Sequence, residues 1–246
     1  MTALEARLNA DERRMDWDNT RPRDAATLII LDRSGPEPRV LMGRRHMRHK
    51  FMPGKFVFPG GRVDPTDWRA PFAADYAPAV LEKLMFDMKT RPSAARARAF
   101  ALASIRETYE EAGILVGVAA DADASAPTHP DWQAFLEHGI VPALDRMRFI
   151  ARAITPPRRP RRFDTRFFAL DHDAIATRLP EGGPSGELED VAWPTLSEAR
   201  DLELPTITLT ILDELATKLA DGSYDDPAAL VPYYAWQRRG FVRQLI

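Results

Sequence analysis

Apolar positions change period along the chain, and each change marks an element. Residues 25–33, AATLIILDR, and 38–45, PRVLMGRR, are short apolar runs flanking SGPEP. Gly-Pro punctuation between two such runs predicts a hairpin. GKFVFPGGRVD, 54–64, predicts a third strand. It ends in a Pro-Gly-Gly turn, where positive φ or close approach of backbone to a ligand is available. Residues 68–93 read as an excursion. Its APAVLEKLMFDMKT segment sets Val80, Leu81, Leu84, Met85 and Met88 at helical spacing before RPS interrupts it. Ser93 can cap a new helix from about Ala94 to Ala112, and Gly113 fits its C-terminal cap.

GILVGVAA then reads as strand or turn, and 121–142 as a Pro-, Asp- and Ala-rich loop holding a short helix around Trp132–His138. MRFIARAITP, 147–156, and RRFDTRFFALDH, 161–172, predict strands joined by a basic, proline-rich link. PEGGPSG reads as a flexible loop, ELEDVAWPT as a strand and LSEARDL as a short helix. TITLTILDELATKLADG sets Leu209, Leu212, Leu215, Ala216 and Leu219 on one helical face, with Gly222 as its stop. The aromatic and basic PYYAWQRRGFVRQLI is expected to dock on the core or on another subunit, which makes a homodimer one expectation. Strands mixed with a few helices give an α/β or α+β class, one domain over 1–246, with an insertion at about 68–93 and a helical extension at about 205–246.

Composition narrows this picture. Of 246 residues 45% are hydrophobic and 28% charged, enough to bury one good core. A formal net charge of −2 gives no drive toward nucleic acid or membrane lipid, so neither is expected as a partner. The absence of cysteine excludes disulfides and thiolate chemistry. The opening residues lack an apolar signal core, and no apolar run approaches the ~18 residues of a membrane span, so a soluble, cytoplasmic protein is expected.

The chemistry concentrates in SIRETYEEAGI, 104–114. At 100° per residue Glu107, Glu110 and Glu111 share one face, while Ala101, Leu102, Ile105, Tyr109 and Ala112 share the other. Phe100 falls on the acidic side and is expected to pack under the excursion. Like charges at i,i+4 cost about 0.2–0.5 kcal/mol. Acids at a helix C-terminus oppose its dipole by roughly 0.3–1 kcal/mol each. Arg106 can offset part of this at i,i+4 to Glu110, and a divalent cation can offset more, because hard cations take oxygen ligands. The plainer alternative is a solvated acidic face with one ion pair.

GGRVDPTD followed by RETYEEAGI resembles the signature of the Nudix hydrolases. Gly61 is followed by five residues and then Asp67, an acid where the family usually has Glu; Arg106, Glu107, Glu110, Glu111 and Gly113 match the second half. Between Asp67 and Arg106 stand 38 residues instead of seven, an insertion of 31 that coincides with the excursion. An interrupted signature of this kind resembles a subgroup that includes peroxisomal coenzyme A diphosphatases. VLMGRRHMRHKFMPGKFVFPGG partly resembles the segment upstream of the box in coenzyme A-cleaving members, with Lys50 where Arg is preferred.

The resemblance implies a mixed sheet sandwiched between helices. It implies hydrolysis of the pyrophosphate of a nucleoside diphosphate linked to another moiety. Coenzyme A or an acyl-coenzyme A leads as substrate. ADP-ribose or nucleotide-sugar pyrophosphatase activity, and a non-catalytic ligand sensor, are the alternatives. Mg²⁺ or Mn²⁺ would be held by Glu107, Glu111, Glu110 and the Gly61 carbonyl. Arg106 would orient a carboxylate, and Glu110, Glu187 or Glu189 would serve as base. Arg44, Arg45 and Lys50 with Gly60 and Gly61 are expected to face the substrate, a small nucleotide. Arg158, Arg159, Arg161 and Arg162 form a second basic cluster that is either phosphate-binding or solvated. His46 and His49 lack metal-ligand spacing and read as surface or phosphate contacts. The excursion is expected to cover one side of the cleft.

Overall fold

The computed structural model describes residues 2–10, 16–48, 53–89, 91–120, 129–238 and 240–246. A short helix α1 (Ala3–Ala10) precedes the long strand β1 (Arg23–Asp32). β1 turns antiparallel into β2 (Arg39–Val40), as the Gly-Pro punctuation predicts. The chain then leaves that sheet as β3 (Met42–Arg45) and β4 (Phe56–Val57), and returns to β1 as β5 (Gly60–Arg62). The excursion holds α2 (Pro78–Met85), and α3 (Ala94–Ala112) follows. Next come β6 (Ile114–Val116), β7 (Val118–Ala119), α4 (Pro130–Leu136) and β8 (Ile140–Val141). The second half runs β9 (Arg148–Ile154), β10 (Phe163–Asp171), β11 (Ile175–Arg178), β12 (Leu188–Ala192), α5 (Leu196–Arg200), α6 (Thr206–Ala220), β13 (Pro232–Gln237) and β14 (Gly240–Leu245).

The main sheet has the order β14-β13-β9-β10-β1-β2, with β5 also on β1. β1 pairs parallel to β10, and β13 parallel to β9; the remaining pairings are antiparallel. Because β1 and β10 are apolar at both parities, the sheet buries both faces. Leu28, Ile30, Phe168 and Leu170 pack under α2, α3 and α4. Ile29, Leu31, Phe167 and Ala169 pack against α1, α5 and α6 through Leu8, Leu196, Ile211, Leu212 and Leu215. A smaller sheet, β12-β3-β4, lies beside the main one.

α3 forms where expected. Ser93 Oγ accepts the Arg96 N–H at 3.2 Å, and Gly113 ends the helix in the left-handed region at φ 67°. Its first half is covered by the excursion: Tyr76, Val80, Leu84 and Met88 join Phe100 in one core, and Tyr76 stacks on Phe168. Phe100 therefore packs as its position implied. In that core α2 packs against α3. Asp67, just before the excursion, meets Arg106 at the acidic end.

Two readings of the tail are corrected. Helix α6 buries Thr208, Ile211, Leu212 and Leu215, and Leu209 is only partly buried. The same face buries Glu214 and Lys218 because both have partners there. Glu214 accepts from Arg243 Nε at 2.6 Å, and Lys218 Nζ donates to the Leu230 carbonyl at 2.8 Å. The helical extension also stops at Ala220. β13 and β14 pair as an antiparallel ribbon that lengthens the chain's own sheet, because Tyr233 and Tyr234 pair with β9 at Arg152 and Ala153. Beyond it, Asn9 of α1 both donates to the Phe241 carbonyl and accepts its N–H, so the outer edge of β14 is partly covered. Among the described residues no helix is long and apolar enough to cross a membrane.

Candidate active site at the end of helix α3

The last turns of α3 lie against the Gly60–Gly61 turn of β5. A Cβ on Gly61 would come within 2.3–2.5 Å of the Glu107 carboxyl group, and one on Gly60 within 2.5 Å of the Ala26 carbonyl. Glycines allow the turn to lie this close; the approach is to strand β1 and to a helix side chain, where the Pro-Gly-Gly pattern pointed to positive φ or a ligand. The Gly60 N–H donates to Glu111 Oε2 at 2.9 Å and fixes that carboxyl group.

Arg106 is buried and fully engaged. Its Nε and Nη2 grip Asp67 at 2.9 and 3.2 Å, Nη1 reaches Glu107 at 3.0 Å and Glu110 at 3.1 Å, and Nη2 donates to the Arg62 carbonyl at 3.1 Å. Asp67, wholly buried, also accepts the Trp132 indole N–H at 3.0 Å and the Asp64 N–H at 2.8 Å. The insertion of 31 residues thus loops out and leaves Asp67 in contact with the helix. Its place is behind Arg106, orienting it. The indole bond was not legible in sequence, since nothing in PDWQAFL points to a buried acid 65 positions earlier. Trp132→Phe keeps an aromatic side chain but removes the indole N–H from Asp67 and leaves a small cavity; thermal denaturation should show a loss of about 1–3 kcal/mol from the hydrogen bond, with the cavity adding to it.

The carboxyl groups are raised in pKa. Burial pushes Glu111 up to about 8, with Glu107 and Glu187 adding repulsion against the Gly60 N–H and Arg45. Burial also pushes Glu107 up to about 7, with Arg106 opposing, and raises Glu110. Burial alone would lower Arg106, but Asp67, Glu107 and Glu110 hold it above its ordinary range. Among the described residues no three acid or histidine side chains converge on one point as a closed metal cage. Arg106 engages Glu107 and Glu110, and Gly60 engages Glu111. The donor set still fits a hard divalent cation. Glu107 and Glu111 sit one turn apart, their ionised forms disfavoured by burial in spite of Arg106 and Arg45, with the glycine backbone beside them.

The outlying candidates separate. Glu187 Oε2 lies 3.3 Å from Arg45 Nη2, and Arg45 Nη1 lies 3.8 Å from Glu111, so Arg45 and Glu187 face the acidic end of α3. Glu189 pairs instead with His46 at 3.2 Å. Arg44 pairs with Asp190 at 2.5 Å and is not brought to the carboxylates. Arg162 is engaged with the Thr155 and Thr20 carbonyls and Asn19, a structural tie rather than an anion clamp. Lys50 and His49 lie outside the described residues. The PEGGPSG segment, expected as a flexible loop, is docked on α3: Ser185 N–H donates to the Glu110 carbonyl at 2.9 Å.

No family model matches the chain. A curated relative, a putative nudix hydrolase 7 of Caenorhabditis elegans, is 28% identical over 160 residues. The match covers 60% of this chain and 44% of the relative, so the chain spans less than half of that relative's length. The crystal structure of a NUDIX hydrolase from Alicyclobacillus acidocaldarius is similar with a TM-score of 0.59 and 27% identity, covering 79% of this chain and 90% of that one. The NUDIX domain of Shewanella oneidensis NrtR, solved with ADP ribose, is similar at a TM-score of 0.45 and 13% identity, over 89% and 99% of the two chains. The chain has the Nudix fold. Its likeness in sequence to Nudix hydrolases supports a place in that family.

Proposed function

We propose that the protein is a divalent-metal-dependent pyrophosphohydrolase of the Nudix type. Its substrate is a nucleoside diphosphate linked to another moiety, with coenzyme A or an acyl-coenzyme A first and ADP-ribose or a nucleotide sugar next. The observation that carries the reading is the pair of buried Glu111 and partly buried Glu107, packed against Gly60–Gly61 at the positions where the signature places its metal ligands. Mg²⁺ or Mn²⁺, when bound, would supply positive charge to the pyrophosphate oxygens and lower the pKa of a bound water. Glu107 and Glu111 would hold it, with the Gly61 carbonyl and Glu110 as further oxygen donors.

The remaining work falls to this chain's own groups. Arg106, braced by Asp67, sets the rotamers of Glu107 and Glu110. Arg45 offers a guanidinium to the substrate phosphates at the mouth of the site. Glu187 accepts the proton of the water whose oxygen attacks phosphorus, as the bridging P–O bond breaks and the second phosphate leaves. Glu187 is preferred to Glu189 because its charge is felt by Glu111.

The test is product analysis by mass spectrometry with Mg²⁺ or Mn²⁺ and a panel of coenzyme A, an acyl-coenzyme A, ADP-ribose, NADH and a nucleotide sugar. The expected products from coenzyme A are 4′-phosphopantetheine and adenosine 3′,5′-bisphosphate. AMP from ADP-ribose alone would keep the enzyme and replace the substrate. Binding without product from any of them would sink the hydrolase reading. Glu187→Gln should lower kcat by roughly 10²–10⁴-fold, the range for a lost general base.

A further inference from the structure

We propose that Gly183 is a positioning residue: lacking a side chain, it lets the loop before β12 seat on the last turn of α3 and hold the Glu187 carboxylate toward Glu111. The inference rests on the hydrolase reading above and extends it to a residue that touches no reacting atom.

The end of a helix leaves carbonyls without intrahelical partners. Here the loop supplies a donor. The Ser185 N–H bonds to the Glu110 carbonyl at 2.9 Å, and the Leu179 N–H bonds to the Gly113 carbonyl at 2.7 Å. Between these two anchors Gly183 lies directly on the helix backbone. A Cβ there would stand 2.2 Å from the Glu111 carbonyl carbon and 2.4 Å from the oxygens of Glu110 and Glu111. Those atoms belong to a buried helix and cannot swing aside as a side-chain end would, so any side chain lifts the loop. Gly182, its neighbour, has a positive φ and open space around it, which shows that the contact requirement belongs to Gly183.

From that seat a short relay leads to the carboxylate. Gly186 N–H donates to the Gly183 carbonyl at 3.2 Å, and Gly186 adopts the left-handed region. Ser185 Oγ accepts the Glu187 N–H at 3.2 Å, and the Glu187 carbonyl accepts the His46 N–H at 3.2 Å. Arg45 then meets the Glu187 carboxylate at 3.3 Å and Glu111 at 3.8 Å. The backbone of the ligand-bearing helix and the backbone of the base are therefore clamped through Gly183. Misplacing a reacting group by about 1 Å can cost on the order of 10²-fold in rate.

The test is a double-mutant cycle on the full chain: Gly183→Ala, Glu187→Gln and both together, with the panel substrate that gives product. Gly35→Ala is the control, since neither Gly35 nor Gly183 has a positive φ, and the nearest atom to a Cβ at Gly35 is 3.8 Å away, an ordinary contact. Gly183→Ala is expected to lower kcat by about 10–100-fold. KM should be little changed, and the rise in Tm on adding Mg²⁺ should be retained. The double variant should be no slower than Glu187→Gln alone, because both changes remove the same contribution. If Gly183→Ala fails to fold, Ser185→Ala takes its place in the cycle, with an expected loss of roughly 2–10-fold from one hydrogen bond. An unchanged kcat, or losses that add in the double variant, would overturn the positioning role while leaving the hydrolase intact. A fully active Glu187→Gln would remove the base assignment and this inference with it, and absence of product from wild type would remove the reading beneath both.

Discussion

Glu111→Gln is expected to remove hydrolysis and, in metal-free buffer, to make the protein more stable. The two effects have one cause. In the folded chain Glu111 is 3% exposed and its carboxyl pKa is pushed up to about 8 from an ordinary value near 4.5. Between those values the folded state holds a proton that the unfolded chain has released. Stability of the metal-free protein therefore falls as pH rises through this window and stays low above it. Gln keeps an oxygen for the Gly60 N–H and carries no charge, so the slope should shrink and the variant should gain about 1–3 kcal/mol at about pH 8. Mg²⁺ should reverse the order. It should raise the Tm of the wild type, whose carboxylates then face a cation, and leave the variant nearly unmoved. Loss of a principal ligand should lower kcat/KM on the order of 10³-fold or more. Calorimetry with EDTA and with Mg²⁺ at about pH 5 and about pH 8, beside turnover, checks both halves. A variant that is less stable than wild type in EDTA, and still stabilised by Mg²⁺, would mean that Glu111 is an ordinary structural acid.

The parts of this site that were legible in sequence are those whose physics is local. Ser93, the apolar stripe Leu102, Ile105 and Tyr109, and Gly113 specify α3 within one segment, and the acids are placed by its 3.6-residue period. Asp67 was visible as an acid but not as a partner, because its pairing with Arg106 is made by the return of a chain that first runs through α2. The tail misled for the same reason. Aromatic and basic residues at its end lack the clean alternation of a strand, and β13 exists because Arg152 and Ala153 on β9 offer it an edge. Glu214 and Lys218 look like solvated positions of α6 until Arg243 and the Leu230 carbonyl, reached through that ribbon, give each a partner.

The largest loss of stability is expected from Asp164→Asn, at the other end of α3. Strand periodicity places Asp164 and Arg166 on the face of β10 that packs under the helix, and Arg152 joins them from β9. Asp164 is the carboxylate between two buried guanidiniums: Arg152 meets it at 2.7 and 2.8 Å, and Arg166 at 2.9 Å. Arg152 also donates to the Phe86 and Asp87 carbonyls at 2.8 and 3.1 Å, and Arg166 to the Asp164 carbonyl at 3.0 Å, but these acceptors carry no net charge. Arg166 lies over the Phe100 ring at 3.9 Å and is 3.8 Å from Asp24, which Arg96 also holds. Two of its nitrogens, Nε and Nη2, have no hydrogen-bond partner among the described residues, and burial already pulls its pKa down to about 10. With Asn in place of Asp the geometry of one oxygen survives, but two cations face each other without a shared anion. Removing one partner of a buried ion pair typically costs about 3–5 kcal/mol. A comparable loss should appear in urea unfolding of Asp164→Asn. The cost should be smaller in a variant that also carries Arg166→Met, because the second change removes the charge that the first leaves uncompensated. A double variant no more stable than Asp164→Asn would show that packing around Phe100, and not charge balance, is what Asp164 secures.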